Sequence, residues 1–172
     1  MRYFQDSNDI KVALVLSNNP NAGGLEIAKQ YDVPTIVVRK DQFNDPDYLL
    51  PLLEEKHIDL VVLAGFLRLV PDFLVKAYYH EIINIHPALL PKYGGKGMYG
   101  IKVHHAVLAN KEPESGITIH YVDPNYDEGK IIFQAKCVVE ANDTAETLSV
   151  KVLKLEHEWY SKIIEKLLLQ NE

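Results

Sequence analysis

Four short apolar runs constrain this chain more than any other feature: residues 10–17 (IKVALVLS), 35–38 (TIVV), 58–63 (IDLVVL) and 82–85 (IINI). They are rich in β-branched residues and unbroken rather than alternating, the pattern of strands covered on both faces, as in a parallel sheet. Between them lie segments with helical spacing, residues 25–31, 48–56 and 71–79, the first two entered through loop residues such as Asn18, Asn19, Pro20 or Asp45, Pro46. Strand and helix alternate in the βαβ rhythm of a doubly wound fold. The expected class is α/β, a mainly parallel Rossmann-like sheet with helices on both faces. A chain of 172 residues closes one hydrophobic core, so a single domain over 1–172 is expected.

Past residue 85 the character changes, because Pro87, Pro91, Gly94, Gly95, Gly97 and Gly100 crowd into one stretch. This predicts a long loop, and long loops inside compact domains are more often functional than accidental. A short helix over 105–110 follows, then strands over 116–122 (GITIHYV) and 131–139 (IIFQAKCVV) joined by DPNYDEGK. The pair reads as a C-terminal antiparallel hairpin. Asp143 and Glu146 have the spacing of a capping box, and Leu148, Val152, Leu155, Trp159, Ile163 and Leu167 recur at steps of three or four. The chain is expected to close on a long amphipathic helix.

Composition narrows the function classes. No apolar run approaches ~18 residues, so no membrane-spanning helix is expected. Residues 1–12 have neither a basic lead into an apolar stretch nor a small-residue cleavage site, against secretion. The single cysteine, Cys137, can form neither an internal disulfide nor a thiolate zinc site, which suits a reducing cytoplasm. A net charge of −6, with 18 basic residues scattered among 24 acids, argues against nucleic acid as a partner.

In parallel α/β sheets, ligands gather at the carboxyl ends of strands. The fourth run ends in Asn84-Ile85-His86-Pro87, and alternation places Asn84 and His86 on one face about 7 Å apart. An amide donor beside a group that titrates near neutrality suits oxyanion binding and proton movement. The same pair also fits a polar strand end with a satisfied histidine. Asp127, in the hairpin turn before Gly129, fits a side chain serving its own backbone. Folded toward His86, it would instead raise the imidazole's pKa and favour a general acid. His57 and His80 sit near helix ends and need no further role. His104, His105 and His120 match no common ligand spacing, so no metal site is expected. Glu156 borders the apolar stripe of the last helix, where carboxylates are usually solvated, although one at a cleft edge could grip an amine.

Several blocks carry a resemblance to a known family: VVLAGFLRLV (61–70), INIHPALLPKYGGKGMYG (83–100), HHAVLANKEPESGITIHYVDPNYDEGKII (104–132) and LEHEWY (155–160). Together they closely resemble the phosphoribosylglycinamide formyltransferases over nearly the whole chain. The Asn-x-His-Pro-Ala-Leu-Leu-Pro-x-Tyr block itself is shared across the wider formyltransferase superfamily. The resemblance implies a catalytic triad of Asn84, His86 and Asp127. It further implies that the amine of glycinamide ribonucleotide takes a formyl group from 10-formyltetrahydrofolate, a co-substrate, with no tightly bound cofactor. By the same resemblance, Leu67, Arg68, Leu69 and Val70, with Asp123, Pro124, Asn125 and Tyr126, form the folate pocket, and Pro87 and Glu156 meet the ribonucleotide. A monomer or a homodimer is implied equally.

One family element has no counterpart here. Members open with a strand and a Gly-Ser-Gly-x-[Ser/Thr]-Asn loop whose backbone N–H groups hold the ribonucleotide's phosphate. Residues 1–9 (MRYFQDSND) instead match the tail of the helix that should follow, so the domain is expected to be incomplete at its N-terminus relative to the family. Two other functions therefore stay open. One is a formyltetrahydrofolate deformylase-type hydrolase, in which water replaces the amine; the other is an inactive form that binds folate or another chain.

Overall fold

Strand β1 (Val15–Ser17) pairs in parallel with β2 (Thr35–Val37), and α1 (Gly23–Gln30) connects them. They lie in the first of two units, Met1–Asp59 and Leu60 onward, and the computed structural model describes residues 1–169. The first apolar run was expected to be a strand from residue 10, yet pairing begins at Val15, whose N–H donates to the Pro34 carbonyl at 2.9 Å. Pro34 has no N–H to return, so the ladder cannot extend further in that direction. Helices α2 (Lys40–Phe43) and α3 (Pro46–Glu55) complete this unit. Asp45 caps α3 by accepting from Asp47 N–H at 3.0 Å, and Pro46 takes the first helical position, where its missing N–H costs nothing. Leu25, Ala28, Leu49 and Leu53 are buried here, each on the apolar face of its helix.

In the second unit the sheet order is β3-β4-β5-β6, formed by Val61–Leu63, Ile82–His86, Glu114–Tyr121 and Ile131–Val138. The first pair is parallel, and the hairpin β5–β6 extends it antiparallel. The third apolar run contributes only its last three residues. Its first, Ile58, closes the end of α3 through an N–H donated to Leu53 O at 3.1 Å, after His57 has turned to φ 51°. Helix α4 (Asp72–Ala77) joins β3 to β4, and α5 (Ile101–Ala109) starts four residues earlier than expected, directly after Gly100 at φ 55°.

One core cluster of this unit is Val107, Ile117, Leu148 and Val152, with Phe133 and Trp159 packed against it, their ring centroids 4.7 Å apart. Gly116 permits it: a Cβ there would stand 1.9 Å from the Ala135 carbonyl oxygen, so β5 and β6 could not close. Helix α6 (Ala145–Leu169) supplies half of that core. Its capping box lies one residue later than the spacing suggested. Thr144 N–H donates to Thr147 Oγ1 at 2.9 Å, and Thr147 N–H donates back to Thr144 Oγ1 at 3.3 Å. Asp143 accepts from Lys151 Nζ at 2.7 Å, from Glu140 N–H at 2.8 Å and from the Thr147 hydroxyl at 2.8 Å. Those partners, Lys151 foremost, hold its carboxyl at about 2. Farther along, Tyr160 O–H donates to the Leu63 carbonyl at 2.7 Å, tying α6 to the end of β3.

Candidate active site

The register of β4 against its neighbours builds the site. Asn84 stands opposite Leu63 of β3 on one side and His120 of β5 on the other, and His86 stands opposite Thr118. Side chains alternate along strands, so Asn84, His86, Thr118 and His120 project from one face. Thr118 rivets the loop that follows β4: its hydroxyl donates to Ala88 O at 2.7 Å and accepts from Leu90 N–H at 3.0 Å. Gln134 of β6 adds a bond to the same hydroxyl at 2.9 Å.

His86 is 3% exposed. Its Nε2 lies 2.8 Å from the Tyr93 carbonyl oxygen, which can only accept, so Nε2 carries the hydrogen. The nitrogen left to titrate is Nδ1, 3.5 Å from Asp127 Oδ2. That is ion-pair contact rather than a well-formed hydrogen bond. Burial dominates the imidazole and holds its pKa below the ordinary value. Asp127 and the Tyr93 carbonyl push upward, and His120 pushes down again. The sequence led us to expect a carboxylate that keeps His86 charged; its upward pull is present, and desolvation outweighs it.

Asp127 sits at φ 59° in the hairpin turn, yet its side chain does not serve that turn. It reaches across to accept Gly95 N–H at 2.9 Å with Oδ2, while Oδ1 lies 3.6 Å from His120 Nε2. Burial alone would raise its pKa, but His120, His86 and the Gly95 amide together bring it below the usual carboxylate range. It is an ionised, nearly enclosed carboxylate. Gly94 makes the approach possible, since a Cβ there would come within 3.1 Å of Asp127 Cβ and 2.5 Å of Leu90 Cδ2.

These groups open into a cleft of about 700 Å³, a size that suits a small-molecule substrate. Leu67, Arg68, Leu69 and Val70 line it after β3, with Leu67 58% and Leu69 43% exposed beside it. Asp123, Asn125 and Tyr126 line it from the hairpin turn, where Asn125 N–H donates to Asp123 Oδ1 at 2.9 Å. Pro87 and Glu156 line it as well, and burial pushes the Glu156 carboxyl up despite the opposing pull of His157. Pro124 is the exception among the residues singled out from sequence: it lines a neighbouring cleft with Tyr79 and His80 instead.

Two histidines set aside from the sequence belong here. His120 donates from Nδ1 to the Tyr121 carbonyl at 2.8 Å, so a neutral ring leaves Nε2 to accept from Asn84 Nδ2 at 3.2 Å, whereas a hydrogen on Nε2 would point toward Asp127 Oδ1 at 3.6 Å. His104, on α5, is 4% exposed and lines the cleft, and its Nδ1 has no hydrogen-bond partner. Burial first, then His105 and His86, lower its pKa. Neither spacing nor composition reveals these two; only the β4–β5 register and the length of α5 bring them in. Among the described residues, no group of three or more His, Cys, Asp or Glu side chains is arranged to hold a metal ion.

Fold and site together define an α/β protein with a ligand cleft at the carboxyl ends of β3 and β4 and an amide, an imidazole and a carboxylate gathered in it. The chain belongs to the formyl transferase family, whose profile matches residues 2–164. It is 44% identical over 158 residues to a phosphoribosylglycinamide formyltransferase, chloroplastic, of Arabidopsis thaliana, an alignment that covers 89% of this chain and 54% of that protein. The chain thus spans about half the length of the plant relatives it matches. The Bacillus subtilis phosphoribosylglycinamide formyltransferase is 33% identical over 97% of this chain and 85% of its own length. Among solved structures, the phosphoribosylglycinamide formyltransferase of Anaplasma phagocytophilum superposes with a TM-score of 0.88, at 35% identity, over 98% of this chain and 78% of that one.

Proposed function

We propose that this chain transfers a formyl group from 10-formyltetrahydrofolate to the amine of 5-phosphoribosylglycinamide, the step that adds a one-carbon unit in purine biosynthesis. The observation that carries the reading is the convergence of Asn84, His86 and Asp127 on one cleft, with His86 Nδ1 as the free nitrogen. The neutral amine attacks the formyl carbon, and the carbonyl electron pair becomes an oxyanion. Asn84 Nδ2–H binds that charge as it forms, and His86 Nδ1–H joins it once the imidazole has taken up the proton of the attacking amine, each such donor being commonly worth about 10²- to 10³-fold in rate. The proton lost by the attacking nitrogen passes by Asp127 and His86 Nδ1 to the folate nitrogen as its bond to carbon breaks. The buried imidazole is neutral at rest and charges only as this proton arrives, so it serves as base and then acid.

The half-exposed Leu67 and Leu69 offer apolar surface to the folate ring, and Asn125 and Tyr126 close over it from the turn. Glu156 takes the ribonucleotide's amine end. The folate is a co-substrate that leaves after each turnover, and none is held as a resident cofactor. A single catalytic domain over 1–172 acting on these two small molecules in the cytoplasm agrees with the net charge of −6 and the unpaired Cys137. Among the described residues no helix is long and apolar enough to cross a membrane.

Incubation with 10-formyltetrahydrofolate, with and without the ribonucleotide amine, tests the reading. Tetrahydrofolate released only when the amine is present supports it. Release without the amine makes the chain a hydrolase, and no release in either reaction leaves a binding protein.

A further inference from the structure

The hydrogen bond from His86 Nε2 to the Tyr93 carbonyl is not free-standing. Tyr93 occupies the left-handed region at φ 59°, where a bulky side chain is rarely held without support from its surroundings. That support is visible. Its ring packs against the core of Val107, Ile117, Leu148 and Val152, and its hydroxyl donates to Glu112 Oε1 at 2.8 Å. The same oxygen accepts from Lys92 Nζ at 2.8 Å, and Glu112 is only 22% exposed, against 66% for Lys92. Glu112 lies in the turn between α5 and β5, anchored by its N–H to Val107 O at 3.3 Å, and lines no part of the cleft.

We infer that Glu112 and Tyr93 are positioning residues for His86: the Glu112 carboxylate fixes the Tyr93 ring, and so holds the Tyr93 carbonyl against Nε2. With Nε2 committed to that carbonyl, the neutral ring has one tautomer, and Nδ1 alone faces Asp127 and the cleft. Without the strut the Tyr93 backbone relaxes from its strained conformation, Nε2 loses its acceptor, and the hydrogen redistributes between the two nitrogens. Part of the population then presents an N–H where the lone pair is needed. The role assigned to Nδ1 rests on the formyl-transfer reading above, whereas the tautomer is a property of the protein alone.

The test uses protein labelled with 15N-histidine, above the pH at which His86 titrates, with the His86 signals assigned by their loss in His86→Asn. Wild type is expected to show the Nε2–H tautomer. Tyr93→Phe and Glu112→Ala are expected to give a mixture with Nδ1–H. Glu112→Gln keeps an oxygen for the Tyr93 hydroxyl and is expected to retain the wild-type signature. In turnover, the first two variants lose roughly 10- to 100-fold in kcat with KM little changed, as small misplacements do, and Glu112→Gln recovers most of it. If Tyr93→Phe fails to fold, the Glu112→Ala and Glu112→Gln pair decides by the same signals. Wild-type tautomer in Glu112→Ala, or an Nδ1–H ring in the wild type, overturns the inference. Absence of formyl transfer in the wild type as well as in every variant overturns the functional reading and leaves the tautomer result standing.

Discussion

Asn84 and His120 face each other across β4 and β5, with Nδ2 of one 3.2 Å from Nε2 of the other. His120 is pinned from behind by its Nδ1–H to the Tyr121 carbonyl at 2.8 Å, so its ring offers Asn84 an acceptor in a fixed place. One Asn84 amide hydrogen is thereby committed and the amide plane set. The second hydrogen is then directed by a strand-to-strand contact rather than by a flexible side chain, which is the preorganisation an oxyanion donor requires.

Replacing His120 should therefore act through Asn84. His120→Ala is expected to lower kcat by roughly 10- to 100-fold, as misorienting a positioned group does. His120→Gln, whose amide oxygen reaches near the Nε2 position, should recover much of the loss. In a double-mutant cycle with Asn84→Ala the two effects should be clearly less than additive. Additive losses would mean that His120 acts independently of Asn84.

The dyad carries a different expectation. His86→Ala removes both the proton carrier and one oxyanion donor, and Asp127→Asn removes the charge beside Nδ1. Each should reduce turnover by about 10²- to 10⁴-fold while the protein remains folded by circular dichroism. Near-normal formyl transfer in either variant would take that residue out of the mechanism.

How much of this was legible beforehand follows from how local each cause is. The parallel character of β3–β4, the hairpin and the long last helix rest on apolar periodicity, which the chain carries locally, and they came through. Strand lengths did not, because β1 stops where Pro34 lacks a hydrogen and the run beginning at Ile58 is spent on closing α3. The cap of α6 moved from Asp143 to Thr144 because Lys151, a full two turns along, claims the aspartate. Asn84 and His86 were readable from alternation in one strand. His120 was not, since its partner lies 36 residues away in sequence and only the register brings them together. Asp127 looked like a turn residue, and its backbone is one; its side chain has a second role that no local pattern encodes.

Stability should fall on mild acidification. His86 and His104 both have pKa values lowered chiefly by burial, so the unfolded chain binds protons that these rings refuse in the folded state. Their contribution is fully present above the ordinary histidine value of about 6.5 and is lost as pH falls below it. Asp127, also lowered, contributes above the ordinary carboxylate value and is lost only at far lower pH. Thermal midpoints should thus decline from about pH 7 to 5. The decline should be visibly shallower in a His86→Gln, His104→Gln double variant; an unchanged slope would contradict the assignment.

Tyr160→Phe isolates the tie between α6 and β3. It deletes the hydroxyl that donates to Leu63 O at 2.7 Å and leaves the ring. The half-buried Leu63 carbonyl then loses that hydrogen bond, which should cost roughly 1–2 kcal/mol. For a chain of this size that corresponds to a fall of about 2–8 °C in Tm. Because the Leu63 end of β3 runs into the strap 67–70, KM for the folate should rise more than kcat falls. Calorimetry and initial-rate kinetics on the same sample would separate the two effects.

Glu156 gives the opposite sign. Burial raises its pKa, so the folded protein prefers the protonated carboxyl, and that preference stabilises the fold below the ordinary glutamate value and is lost as pH rises through the raised one. At neutral pH the free protein therefore holds a carboxylate that its surroundings disfavour. Glu156→Gln should raise Tm at pH 7–8, with the gain vanishing near pH 4, where the wild-type group is already neutral. The same variant should raise KM for the ribonucleotide roughly 10-fold or more, the size expected when a charged hydrogen bond is lost, and leave folate binding unchanged. Those two results together identify a group kept for its ligand at the expense of the fold. A variant that is stabilised and binds the ribonucleotide as well as wild type would show instead that Glu156 has no part in the substrate site.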